Sequence, residues 1–144
     1  MTASRTTASL TGAGARILTD DACWELVRGE TLGRLAVVAD DGVDIFPVNY
    51  LVDRGTILFR SAPGSKLACI ARDPVVALEV DGCDDQHRWS VVVRGTARRL
   101  DADDDIEASG VLGLATLPGT PKFNYVCITP RVLTGRRFRW EGVA

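Results

Sequence analysis

The sequence predicts a small, mainly β protein: an antiparallel barrel of six or seven strands with a few short helices. Three observations lead to this prediction. Apolar residues alternate with polar ones or form short runs over several segments, tight-turn residues separate those segments, and only short stretches suit a helix. Closing the strands into a barrel removes the exposed edges that an open sheet would leave.

An arm of residues 1–15 precedes the predicted fold. It is rich in Thr, Ala, Ser and Gly without periodicity, so we expect it to be mobile and residues 16–144 to form one domain. Thr19 is placed to cap a short helix that ends at Gly29. Apolar segments then predict five strands and a second helix, in the order strand 32–39, strand 43–52, strand 56–61, helix 65–72, strand 75–80 and strand 89–97. Asp53-Arg54-Gly55 suits a hairpin turn between the second and third of these segments.

The last third of the chain predicts one more helix and the closing strands. An acidic run at 101–105 suits the start of a helix that extends to about residue 114, and a loop rich in Pro and Gly follows it. Two final strands are expected at 123–129 and 132–140, separated at Pro130.

Composition and charge exclude several classes of function. The 144 residues suffice for one domain with a core, and 46% hydrophobic with 25% charged residues is ordinary for a globular protein. A net charge of -2 gives no field to attract nucleic acid, so no such partner is expected. No apolar run reaches the roughly 18 residues that cross a bilayer, and the N-terminus lacks the apolar core of a signal peptide. We therefore expect a cytoplasmic protein without a membrane partner.

The cysteines and the single histidine do not form a metal-ligand pattern. Cys23, Cys69, Cys83 and Cys127 stand far apart without a CxxC pair, and His87 is the only histidine. Three of the cysteines lie beside apolar residues and are expected to be buried thiols, whereas Cys83 lies in a polar run and is expected to be exposed. The sequence therefore predicts no metal site.

No motif for acid-base or nucleophilic catalysis is present. The chain has no Ser-His-Asp order, no HExxH and no paired-carboxylate motif, so catalytic residues stay unassigned. Any catalysis is expected to depend on a bound redox cofactor, which the protein positions.

Residues 60–66 combine cations, hydroxyls and flexible backbone ahead of a predicted helix. Arg60 and Ser61 end a strand, and Gly64 precedes Ser65 and Lys66 at the start of the helix. An ammonium group beside free helix amides can bind a phosphate. The same residues also suit a solvated lysine on a surface helix, since short Gly-Ser-Lys sequences are common.

Four stretches of the chain together resemble the flavin-binding split β-barrel family, the relatives of pyridoxamine 5'-phosphate oxidase, and in particular its short single-domain members. These stretches, which span most of the chain after about residue 20, are Phe46-Pro47-Val48-Asn49-Tyr50, Phe59-Arg60-Ser61 with Gly64-Ser65-Lys66-Leu67, Trp89-Ser90-Val91-Val92-Val93-Arg94-Gly95 and Thr134-Gly135-Arg136-Arg137. The resemblance implies a homodimer that binds FMN at the subunit interface and acts as a flavin-dependent oxidoreductase on a small molecule.

The resemblance also implies cofactor roles for particular residues. Relatives use the matching lysine and hydroxyl residue for the flavin phosphate, and they place the strand at 47–49 against the isoalloxazine ring. They also bring the start of the strand at 89–90 and an arginine near the C-terminus close to the flavin. The predicted cofactor-binding residues are Pro47, Val48, Asn49, Arg60, Ser61, Ser65, Lys66, Trp89, Ser90 and Arg136.

Other interpretations of these residues stay open. Pro47 cannot donate a ladder hydrogen bond, so it also suits a sheet edge or a bulge. Asn49 suits a solvent-facing amide, Trp89 a core side chain, and Arg136 a position on a surface strand rich in arginine.

The chain departs from the true oxidases in one motif. They carry Arg-x-His near the C-terminus for the pyridoxal substrate, whereas this chain has Arg137-Phe138-Arg139 and is shorter. Oxidation of vitamin B6 is therefore not expected. Two alternatives to FMN chemistry remain: reduction of small molecules with the deazaflavin F420 on the same fold, and non-catalytic binding of flavin or haem.

Overall fold

The structure, a computed structural model, describes residues 16–100 and 124–140. The predicted mobile arm and the helix predicted after residue 100 lie outside the described residues. In chain order the elements are β1 (Arg16–Ile17), α1 (Asp20–Arg28), β2 (Leu32–Ala39), β3 (Gly42–Asp53), β4 (Thr56–Ser61), α2 (Ser65–Arg72), β5 (Val75–Cys83), β6 (His87–Arg99) and β7 (Asn124–Arg139).

The strands form one antiparallel sheet that closes on itself. Neighbours run in the order β7, β4, β3, β2, β5 and β6, and β6 pairs again with β7, while β1 adds to the far end of β7. Six strands thus make a ring, and the predicted antiparallel barrel of six or seven strands with a few short helices is confirmed. Closure pairs most strand edges, which an open sheet would expose.

The inward faces of the strands build the core. The largest fully buried side chains of this core are Phe59, Leu35, Ile57, Leu78, Ile128, Val27, Val37, Val80, Val91 and Val93. Leu58 is buried in a second cluster on the other face of β4, with Leu100 and Cys127. Helix α1 adds Cys23 and Val27, and α2 adds Cys69 and Ile70. As expected, Cys23, Cys69 and Cys127 are buried, and Cys83 is exposed.

Two local predictions near the start of the barrel are confirmed. The Thr19 hydroxyl accepts a hydrogen bond from the amide of Ala22 at 3.2 Å, and α1 ends at Gly29. The turn between β3 and β4 places Arg54 and Gly55 at φ values of 51° and 76°. Two consecutive positive φ values are typical of the two-residue turn that matches the twist of a hairpin.

The C-terminal strand corrects the prediction of two separate strands. β7 is one strand of 16 residues, and Pro130 lies within it. The register shifts at this point: Gly95 faces Pro130, while Arg94 faces Val132, so Arg131 is an extra residue in a bulge. A bulge tolerates the missing amide of proline, which is why the strand continues through a residue that sequence patterns treat as a break.

A side-chain hydrogen bond from Tyr50 links β3 to the end of α1. The side chain is buried, and its hydroxyl donates a hydrogen bond of 2.6 Å to the carbonyl oxygen of Val27. Burial is the main cause that raises the pKa of Tyr50, with the charge of Glu30 second, so the phenol remains a donor through the alkaline range. This bond holds the strand immediately after residues 47–49.

Removing this hydroxyl is expected to destabilise the fold. Tyr50→Phe removes this hydrogen bond and leaves the Val27 carbonyl only the amide of Glu30, at 3.3 Å, so we expect a loss of about 1 kcal/mol in the free energy of unfolding. Chemical denaturation of both proteins measures it. Tyr125→Phe is the matched control, because the Tyr125 hydroxyl makes no hydrogen bond within the described ranges; an equal loss in both variants would contradict the assignment.

A comparison of the wild type with Tyr50→Phe also tests the raised pKa of Tyr50. The unfolded chain releases a normal tyrosine proton above about pH 10, whereas the folded chain retains the proton on Tyr50. The unfolded state therefore binds fewer protons there, and the stability of the wild type should fall more steeply above pH 10 than that of Tyr50→Phe.

Candidate functional site

Among the residues that the structure describes, β3 has an open edge, where part of the strand has no partner on the side of β4. β3 pairs with β2 over residues 42–49 and with β4 only over residues 50–53. The amide of Tyr50 donates to the carbonyl of Thr31 ahead of β2, at 2.9 Å. Backbone groups of successive residues point to opposite sides of a strand, so those of residues 47 and 49 point away from β2. The pairing of Tyr50 with Phe59 places the Asn49 carbonyl opposite the Arg60 amide of β4, whereas Pro47 and the Asn49 amide have no strand partner there among the described residues.

This geometry separates the three predicted residues of β3. Pro47 and Asn49 are exposed and direct their backbone groups to the open edge, where the carbonyl oxygen of Pro47 and the amide of Asn49 are available. Pro47 lies at an edge, one of the positions a strand proline can occupy. Val48 is 4% exposed, packs in the core and turns its backbone toward β2. Val48 therefore contributes apolar packing next to the open edge and no polar contact.

The start of α2 lies beside this edge and carries no counter-charge of its own. The cap residue Gly64 provides no side-chain hydrogen bond, and the first turn contains no acidic residue. Helix α1 has both features, in the form of Thr19 and two aspartates. The first amides of a helix have no partner within the helix, so the start of α2 suits an anion.

Lys66 lies at this helix start and is half-buried. Its Nζ lies 5.1 Å from the centre of the Phe46 ring, on the residue before Pro47 in β3. Within residues 16–100 and 124–140, no carboxylate lies within ion-pair distance of Lys66. Burial lowers the pKa of the ammonium because it removes water from the charged form. Ser65, one residue earlier, is exposed.

Ser61 and Arg60 face opposite sides of β4. Ser61 is 5% exposed, lies on the same face as Phe59, and donates a hydrogen bond of 3.0 Å to the carbonyl of Ala62. Arg60 is half-buried on the other face and pairs in register with Tyr125. The structure thus places Ser61 on the inner side of the chain that leads to Lys66, and Arg60 on the outer side.

The predicted residues of β6 and β7 form a second group. Ser90 and Arg136 are direct cross-strand partners on the outer face, where they line a groove with Arg94, Thr134 and Ile17. Arg94 donates a hydrogen bond of 3.1 Å to the Thr134 hydroxyl.

Trp89 faces inward instead. It packs against the core and over Gly82, where a Cβ would lie 2.6 Å from the indole. Its position is the one expected of a core tryptophan.

The order of these elements and their motifs agrees with a known family. The family model described as pyridoxamine 5'-phosphate oxidase matches residues 19–137, which is most of the chain. The chain belongs to the pyridoxamine 5'-phosphate oxidase family. The resemblance on which the split-barrel prediction depended is thereby confirmed.

Relatives in this family are similar over most of their length. A Corynebacterium glutamicum structure classed as a pyridoxamine 5'-phosphate oxidase shares 38% identity at a TM-score of 0.79, over 90% of this chain and 97% of that chain. The FAD-binding protein of Mycobacterium smegmatis shares 36% identity at a TM-score of 0.72, over 86% and 98%. An uncharacterized Mycobacterium tuberculosis protein shares 33% identity over 90 residues, which is 62% of this chain and 82% of the relative.

The two groups of predicted residues lie apart on this family member. In the ring, β2 and β5 separate β3 from β6 on one side, and β4 and β7 separate them on the other, so Ser90 lies three strands from the open edge. Arg136 lies on β7, well beyond residues 124–128 that pair with β4. The structure therefore brings Lys66 to the strand of Pro47, and Ser90 to Arg136, but does not join the two groups within one protomer.

Sequence reasoning missed two features. Phe46 received no role, because residues 46 and 66 meet only in the folded chain. The outer face also exposes large apolar side chains, among them Val43 at 65%, Ile45 at 66% and Val75 at 54%. The alternation of β3 signals this second feature, since Val43 and Ile45 alternate with residues that face the other side.

We also searched the described ranges for metal-ligand clusters and for membrane-spanning helices. No three side chains of His, Cys, Asp or Glu come together there as metal ligands would. No helix in the same ranges is both long and apolar enough to cross a membrane.

Proposed function

We propose that this protein binds a flavin 5'-phosphate, with FMN as the expected cofactor, along the open edge of β3 and acts as an oxidoreductase on a small molecule. One observation carries the proposal: the half-buried ammonium of Lys66 has no carboxylate partner among the described residues and lies at an uncapped helix start beside the exposed edge at residues 47–49. A group that is both anionic and flat satisfies both features.

Each part of the site has a distinct task in this proposal. The carbonyl oxygen of Pro47 accepts a hydrogen bond and the amide of Asn49 donates one, which suits the N–H donor and the neighbouring carbonyl acceptor on the rim of an isoalloxazine ring. Lys66 and the first amides of α2, with Ser65, hold the phosphate. Val48 and Ser61 form the adjoining wall. The flavin supplies hydride chemistry when bound, while the protein supplies position and electrostatics.

A homodimer is part of the proposal. The exposed apolar face at Val43, Ile45 and Val75 suits contact with a second copy, because large exposed apolar patches mark interaction sites. A second copy is also the simplest means of bringing a Ser90 and Arg136 pair to the cofactor that Lys66 holds. A cytoplasmic location agrees with the four free cysteines.

The cofactor has one specific competitor. The deazaflavin F420 carries an acidic tail, and the groove that Arg94 and Arg136 line has no carboxylate in its wall. The Mycobacterium smegmatis relative binds FAD, which shares its riboflavin phosphate with FMN. Oxidation of pyridoxamine phosphate is not proposed, because Arg137-Phe138-Arg139 stands where the oxidases carry Arg-x-His.

The purified protein tests the proposal directly. Its absorbance spectrum, mass spectrometry of any molecule released on denaturation, and titrations with FMN, FAD, F420 and haem identify the cofactor. We expect binding of FMN, then reduction by NADH or NADPH and turnover with a quinone or nitro acceptor. Exclusive F420 binding would select the deazaflavin alternative. Flavin or haem binding without reduction would make the protein a binder, and binding of none would overturn the proposal.

A further inference from the structure

Phe46 occupies an unusual position for an aromatic residue of a barrel strand. Its ring packs partly against the core, yet it also lies 5.1 Å from the Nζ of Lys66. This distance is within the range of a cation-π interaction, in which the negative face of the ring attracts the ammonium. It joins the start of α2 to β3 beside the open edge.

The chemistry of this contact differs from that of an ion pair. A carboxylate next to Lys66 would neutralise its charge and compete with an incoming anion. An aromatic ring attracts the ammonium but carries no net charge, so the full positive charge stays available. The ring therefore orients the ammonium group without neutralising its charge.

We propose that Phe46 is a positioning residue of the phosphate site: its ring holds the Lys66 ammonium beside the open edge of β3 and leaves the charge free for the flavin phosphate. This inference rests on the proposed function. Without the ring, the flexible lysine side chain would sample other rotamers, and binding would have to restrict them.

Flavin titrations of single and double variants separate positioning from packing. Phe46→Leu keeps an apolar side chain but loses the aromatic face, and Phe46→Tyr keeps both. We expect Phe46→Leu to weaken FMN binding about threefold to tenfold, the scale of a cation-π contact, and Phe46→Tyr to bind as the wild type does. In a Lys66→Met background, Phe46→Leu should change FMN affinity by less than about twofold, because the group that the ring positions is gone.

A second measurement needs no flavin. The chain has two lysines, Lys66 and Lys122, so lysine labelled with carbon-13 gives two sets of side-chain NMR signals, and Lys66→Met assigns them. We expect the ring to shift the Lys66 signals and Phe46→Leu to abolish that shift. The pKa of Lys66 should fall further in Phe46→Leu, because the ring stabilises the charged form.

The outcomes are distinguishable. If the wild type binds FMN and Phe46→Leu binds it equally well, or loses the same affinity with Lys66→Met present, Phe46 does not act through Lys66 and this inference fails alone. If the wild type binds none of FMN, FAD and F420, the proposed function fails and takes the inference with it.

Discussion

Gly95→Ala is expected to lower the free energy of unfolding by about 3 kcal/mol or more, the largest effect of a single methyl group that the structure predicts. Gly95 faces Pro130 at the bulge where β6 and β7 close the barrel. A Cβ at this position would lie 2.9 Å from the Cα of Pro130 and closer still to the carbonyl oxygen of Thr129. Both are backbone atoms of a paired strand, so neither can move without opening the closure.

Urea denaturation of Gly95→Ala against Gly29→Ala measures this effect. Gly29 has a φ of -82°, and the nearest atom to a Cβ there is the Leu26 carbonyl oxygen at an ordinary 3.5 Å. Gly29→Ala should therefore stay within about 0.5 kcal/mol of the wild type or stabilise slightly. A Gly95→Ala variant as stable as this control would show that the β6 and β7 pairing tolerates displacement.

Lys66→Met is expected to weaken FMN binding by about 1 to 3 kcal/mol, the scale of a lost hydrogen bond to a charged group. Methionine keeps an unbranched apolar side chain against Phe46 but removes the ammonium. Fluorescence titration of FMN with the wild type and the variant measures the change. Unchanged affinity would remove Lys66 from the phosphate site.

The apoprotein and a control variant make this result specific. Burial lowers the pKa of Lys66, so the charged lysine opposes folding below its folded-state pKa, and this cost disappears as the pH rises toward the unfolded value. Lys66→Met should therefore unfold at a temperature no lower than the wild type. Arg72→Met removes a cation from the other end of α2, where Arg72 pairs with Asp40, and should leave FMN affinity unchanged. An equal loss of affinity in both variants would indicate a general effect of charge.

The strands were predictable because their signal is local. The short apolar runs at residues 32–39 and 56–61 are a property of consecutive side chains, and both segments are strands with the predicted bounds. The cap at Thr19 and the turn at Arg54 and Gly55 are equally local, since each depends on a few neighbouring residues. The segment 60–66 could be identified as a possible anion site for the same reason.

The continuity of β7 was not predictable in this way. Pro130 ends a strand in any local interpretation, and what permits it here is Gly95 on the partner strand together with the extra residue Arg131. Sequence patterns along one segment contain no information about which residue of a distant segment will face it.

By itself, the sequence determined the β class, the order of the elements and the motifs that connect this chain to its family, because alternation, capping and turn chemistry act over a few residues. Only the tertiary structure decided that Val48 faces the core while Pro47 and Asn49 face the open edge, that Phe46 meets Lys66, and that Ser90 and Arg136 stand apart from both. These facts follow from strand register and barrel closure, which depend on contacts between residues far apart in the chain.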